Sequence, residues 1–162
     1  MSMERSYMNY QLNFVSLQTK YEKQHTEMYT FHRTVNYYEC DRMGITHHSN
    51  YVRYMEEARV AWLDSIGLGF ERMEAEGFQS PVLAINCQYK RSSTFADTLD
   101  ITIGVKEVTP VKFTVEYTMK CKDKLCCIGT STHCFIAGGR PVSLEQRLPE
   151  LYEELNRMVN NG

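Results

Sequence analysis

The chain has 162 residues, 43% of them hydrophobic and 23% charged, which is the make-up of one folded domain and excludes a wholly disordered chain. Eighteen Lys and Arg against 20 Asp and Glu give a net charge of −2, so the basic excess of a nucleic-acid or membrane-surface protein is missing. Mean hydropathy is −0.44. No apolar run approaches the ~18 residues of a membrane span and the N-terminus has no apolar signal core, which predicts a cytoplasmic protein.

Residues 1–27 are polar, with scattered Tyr and Leu and no strong period. They read as an extension, flexible or partly helical, ahead of a folded domain over 28–162. From Tyr29 to Tyr38 apolar and aromatic positions alternate, which predicts a strand. A loop from Glu39 to His48 follows. Tyr51, Tyr54, Met55, Ala58, Ala61, Trp62 and Ile66 then recur at spacings of three and four, predicting a helix of about 17 residues. Ser49 or Asn50 is placed to cap its start, and Gly67 and Gly69 to stop it. A short helix, Phe70 to Glu76, comes next.

Four strand-like segments follow, roughly Pro81–Arg91, Thr98–Val108, Lys112–Lys122 and Leu125–Ala137. Their short joints at Ser92-Ser93-Thr94, Thr109-Pro110 and Asp123-Lys124 predict an antiparallel meander. A final helix from Leu148 to Val159 sets Leu148, Leu151, Leu155 and Met158 on one face, with Pro149 in its first turn. The class is α+β: a five-stranded antiparallel sheet curled around the long helix, with an edge left open for dimerisation. Six cysteines at 40, 87, 121, 126, 127 and 134 form no C-x-x-C pair and read as reduced, buried thiols. On a strand, adjacent Cys126 and Cys127 would face opposite ways, which argues against a shared metal.

The densest polar cluster is Glu39-Cys40-Asp41 with His47-His48-Ser49-Asn50, wedged between a strand and the long helix. A helix start offers unpaired backbone N–H groups and partial positive charge, which polarise a carbonyl and hold an oxyanion. A carboxylate on the preceding loop, Asp41, then attacks the carbonyl or activates a water, with Gly44 folding the loop back. Bland readings stand beside this one: Asp41 as a turn residue, His48 as a packing or capping residue, Glu56 and Glu57 as a solvated face paired with Arg53 or Arg59. Adjacent His47 and His48 make a poor metal pair, and no metal site is expected.

The stretch Tyr37-Tyr38-Glu39-Cys40-Asp41-Arg42-Met43-Gly44-Ile45-Thr46-His47-His48-Ser49-Asn50-Tyr51, continuing to Glu57-Ala58-Arg59, closely resembles the signature of hotdog-fold acyl-CoA thioesterases. It is most similar to the 4-hydroxybenzoyl-CoA and Tol-Pal-associated thioesterase group. The resemblance runs from about Tyr29 to Leu155 and leaves out 1–27. It implies a hotdog fold and hydrolysis of an acyl-CoA to free acid and CoA, without metal or redox cofactor, in a homodimer or homotetramer with a cleft between subunits. It places the catalytic carboxylate at Asp41. It gives His48 the position whose backbone N–H binds the thioester oxygen, and Asn50 and Tyr51 the shaping of the pocket. Arg42-Met43 and His47 depart from the group's usual small and apolar residues, which bears on substrate choice. Coenzyme A carries phosphates, for which Lys90 and Arg91 at a strand end are the candidates. Two other classes remain open at this point: a hotdog acyl-CoA hydratase or dehydratase, and a non-catalytic acyl-CoA-binding protein.

Overall fold

A computed structural model describes residues 28–161, so the 1–27 extension lies outside the described residues. The elements in chain order are β1 (Thr30–Thr34), α1 (Ser49–Ser65), α2 (Phe70–Ala75), β2 (Val82–Tyr89), β3 (Thr98–Val108), β4 (Lys112–Cys121) and β5 (Lys124–Cys134). Then come β6 (Ile136–Ala137), β7 (Arg140–Pro141), α3 (Leu144–Arg147) and α4 (Pro149–Asn161). Five strands form one antiparallel sheet in the order β1-β3-β4-β5-β2. This is the α+β hotdog arrangement, with α1 as the filling.

The sheet is not the continuous meander that the short joints suggest. Only β3, β4 and β5 follow one another, and β2 lies at the far edge against β5. The Ser92-Ser93-Thr94 joint is a crossover rather than a hairpin. Its residues are tied to other parts of the chain: Thr46 N–H donates to the Ser93 carbonyl (2.8 Å) and Thr94 Oγ1 donates to the Gly44 carbonyl (2.7 Å). Turn-forming residues mark where a strand ends and leave the next strand's partner unspecified.

Alternation along β3 and β4 buries one face. Ile101 opposes Met119, Ile103 opposes Tyr117 and Val105 opposes Val115, and all six are buried. Against them α1 presents Tyr51, Tyr54, Met55, Ala58 and Trp62, the stripe expected from its spacing, together with buried Arg59 and Leu63. Ala61 and Ile66, also in the predicted stripe, are only partly buried. The helix ends in a left-handed Gly67 (φ +75°), which lets Leu68 N–H reach the Leu63 carbonyl at 2.9 Å. Cys126 and Cys127 are both buried, next to a register shift between Met119 and Lys120 that interrupts the regular pairing of β4 with β5. The predicted last strand stops at Cys134. Ile136–Ala137 instead pairs with Arg140–Pro141, and α4 follows as expected from Pro149.

Candidate active site

The loop before α1 is a small hairpin. Cys40 pairs with Thr46. Asp41 N–H donates to the Ile45 carbonyl and Gly44 N–H to the Asp41 carbonyl, both at 2.9 Å. Gly44 has φ +75°, a conformation that an L side chain adopts only at a cost, and this closes the turn. Asp41 therefore stands at the hairpin tip, half-buried. One carboxylate oxygen, Oδ1, accepts the Met43 N–H at 2.8 Å, so the turn role and an available second oxygen coexist in one side chain.

On the returning strand nearly every N–H is occupied. Thr46 donates to Ser93 (2.8 Å), His47 to the Glu39 carbonyl (2.8 Å), Asn50 to the His47 carbonyl (2.9 Å) and Tyr51 to the His48 carbonyl (3.4 Å). Ser49 N–H turns back to His47 Nδ1 at 3.3 Å. The N–H of His48 alone in this run has no acceptor among the described residues. It sits at the first turn of a 17-residue helix, where the peptide dipoles place partial positive charge. The cap residue's side chain makes no capping bond, and neither Ser49 nor Asn50 takes the cap role expected of it. His48 itself occupies the cap position with helical φ −53° and ψ −33°, Ser49 Oγ meets His47 Nδ1 at 2.8 Å, and Asn50 Nδ2 donates to the Glu39 carbonyl at 2.8 Å. Both candidate caps are engaged elsewhere.

The remaining predicted residues frame this point. Tyr51 is buried under the helix start, its hydroxyl 3.0 Å from Ser93 Oγ, and burial pushes its pKa up. Lys90 and Arg91 are exposed just past the end of β2, both backbone N–H groups meeting the Cys126 carbonyl (2.8 and 3.1 Å). His47 and His48 lie ring against ring at 4.1 Å. Among the described residues no group of three or more His, Cys, Asp or Glu is placed to hold one metal ion.

Two neighbours of this point were missed in the sequence. Tyr89, directly before Lys90, donates its hydroxyl to the His48 carbonyl at 3.0 Å, with its ring 5.3 Å from that of Tyr51. Burial, then the nearby Cys87, pushes the Tyr89 phenol up to about 12, so it remains a donor at neutral pH. Glu39 stands inside the polar cluster already singled out, yet its spacing gave it no role. Its carboxylate is buried at 2% exposure and accepts from Arg33 Nη2 (2.6 Å), Asn36 N–H (2.7 Å) and the Tyr54 hydroxyl (2.9 Å). An open groove of about 610 Å³ starts beside the helix N-terminus and is lined by Ser49, Val52, Arg53, Glu56 and Glu57.

The family description "Thioesterase-like superfamily" matches residues 35–155, which span the hairpin, the helix and the whole sheet beyond β1. The chain belongs to that superfamily. It is 31% identical over 126 residues to an Aquifex aeolicus protein named "Putative esterase", covering 78% of this chain and 98% of that one. It is 29% identical over 119 residues to the Bacillus subtilis "Putative acyl-CoA thioesterase YneP", covering 72% of this chain and 86% of that protein. Among solved structures, that of the DHNA-CoA thioesterase from Staphylococcus aureus superposes with a TM-score of 0.74 at 24% identity, covering 79% of this chain and 88% of the other, and so speaks for the shared fold alone. Family and relatives together support thioester hydrolysis as the reaction class.

Proposed function

We propose that the protein is a cytoplasmic acyl-CoA thioesterase of the 4-hydroxybenzoyl-CoA and Tol-Pal-associated type. The observation that carries this reading is the His48 N–H at the start of α1, without an acceptor among the described residues and on the same hairpin as the Asp41 carboxylate. The thioester oxygen accepts that N–H. Asp41 then attacks the carbonyl carbon or takes a proton from an attacking water. Negative charge gathers on the oxygen, where the N–H and the helix dipole stabilise it. Collapse of the tetrahedral species expels the CoA thiolate and leaves the acid, formed directly or by hydrolysis of an acyl-Asp41 anhydride. Asn50 and Tyr51 shape the acyl side of the pocket, and Lys90 and Arg91 face the phosphates. None of these steps calls for a metal or a redox cofactor.

The naming of one relative as an acyl-CoA thioesterase supports CoA as the leaving group. Two chains complete the cleft, since the groove at the helix start is open and polar in one chain. The test is release of free thiol from short, medium, long and aromatic acyl-CoAs, followed with a thiol reagent. Turnover of at least one class is expected. A folded protein that releases thiol from none of them would sink the thioesterase reading and leave the binding-protein and hydratase classes.

A further inference from the structure

Glu39 acts on the hairpin through two different groups. Its carboxylate is fixed in the core by three donors from three places: Arg33 on β1, the Asn36 N–H, and the Tyr54 hydroxyl on α1. Arg33 is itself held, its Nε donating to Glu57 Oε2 at 2.6 Å and its guanidinium lying 4.9 Å from the centre of the Tyr54 ring. Burial, then the Glu39 carboxylate, pushes the Tyr54 phenol well up, so it stays a donor. The backbone carbonyl of the same residue accepts the His47 N–H and the Asn50 side-chain amide, each at 2.8 Å.

Those two bonds flank His48 on both sides. The first fixes the peptide before His47. The second ties the first turn of α1 to the same oxygen. Asn50 N–H also closes on the His47 carbonyl, so the orientation of the 47–48 peptide, and hence of the His48 N–H, is set from both ends. At the opposite end of the hairpin the Gly44 turn closes the loop and holds Asp41. A buried ion pair is poor evidence for a stability role, because replacing both partners by apolar groups of similar volume is often neutral or stabilising. What an apolar side chain cannot do is fix where this carbonyl points.

We propose that Glu39 is a positioning residue: anchored by Arg33, Asn36 and Tyr54, it holds its own carbonyl against His47 and Asn50 and so aims the His48 N–H. The proposal rests on the thioesterase reading for its catalytic consequence, but the clamp itself is measurable without it.

The experiment compares the wild type with Glu39→Gln, which keeps an acceptor but sets an amide against the Arg33 guanidinium. A second variant, Arg33→Met/Glu39→Leu/Tyr54→Phe, replaces the network by apolar groups. Two readouts are taken on folded protein: kcat and KM on the best acyl-CoA, and amide hydrogen exchange at His47. We expect kcat to fall about 10- to 100-fold with KM within about twofold, as for loss of an interaction made in the transition state. Protection at His47 should fall about tenfold or more while β3–β5 keep theirs. If either folded variant keeps wild-type kcat and His47 protection, the proposal is overturned. If the wild type hydrolyses no acyl-CoA, the thioesterase reading fails instead, and the exchange arm still decides whether Glu39 clamps the hairpin.

Discussion

At Asp41 a turn residue and a candidate catalyst occupy the same side chain. Oδ1 is engaged by Met43 N–H and the other oxygen is available. Asn at this position keeps the turn acceptor and removes the charge. Asp41→Asn should therefore leave the melting temperature nearly unchanged and lower kcat by about 10²–10⁴; wild-type turnover, with mass spectrometry excluding deamidation, would remove Asp41 from the chemistry. In the proposed mechanism His48 contributes its backbone. His48→Ala keeps the N–H and should cost about tenfold at most, whereas His48→Pro deletes the donor and should cost about 10²–10³, the scale of one oxyanion donor. Equal loss in His48→Ala and Asp41→Asn would mean that the imidazole takes part directly. Far from this site, His133 is fully buried, with Nε2 2.6 Å from Ser131 Oγ and 3.3 Å from Arg59 Nη1. Burial, then the Arg59 cation, pushes it down to about 3. The unfolded chain titrates near 6.5, so between these values it binds a proton that the folded state refuses. Stability is intact above about pH 6.5 and falls on acidification towards pH 3, by at most about 1.4 kcal/mol per pH unit from this group. Urea midpoints of wild type and His133→Gln, measured from pH 7 to 4, check this: the variant's slope should be shallower, and equal slopes would assign the acid sensitivity elsewhere.

At the scale of elements, α1 shows how a local signal and a tertiary one divide the work. Its apolar period predicted a helix of about 17 residues with a stripe from Tyr51 to Ile66; the observed helix runs Ser49–Ser65, and Gly67 at φ +75° sets where it stops. Gly67→Ala should cost about 1 kcal/mol, read as a shift in the urea midpoint, because an L residue pays to enter that conformation; no shift would mean that the Leu68-to-Leu63 bond does not depend on it. The start was less legible. Ser49 and Asn50 are good caps by type, yet the hairpin takes both side chains, a contact made through residues that sequence spacing cannot weigh. Asp41, His48 and Tyr51 could be singled out together because they lie within one short stretch. Glu39's clamp needed Arg33 and Tyr54 from two other elements, and Tyr89 reaches His48 from 41 residues away in sequence. The crossover failed for the same reason: alternation identified β2 and β3 correctly as strands, and nothing local says that β5 and β4 lie between them.

For the whole molecule the informative feature is the edge of the sheet. β1 is short, five residues, and carries the exposed His32–Asp100 pair beside it (2.7 Å), features that discourage further strand pairing. β2, at the other edge, has eight residues and among the described residues pairs only with β5. Its apolar side chains are half-exposed: Val82 at 43%, Leu83 at 47%, Ile85 at 44% and Tyr89 at 49%. A long apolar edge of this kind in a lone chain is an aggregation hazard unless something covers it. A second copy meeting it across a twofold axis would continue the sheet and bury those side chains, which supports the dimer proposed above. Light scattering at micromolar concentration should then give about twice the chain mass of 18.9 kDa, or four times if two dimers join. Ile85→Lys places a charge in the middle of that edge and should shift the protein towards the single-chain mass. It should lower thioesterase activity in parallel, because the cleft is left half-built. A wild-type mass of one chain, or a monomeric Ile85→Lys variant with full activity, would show that a single chain suffices.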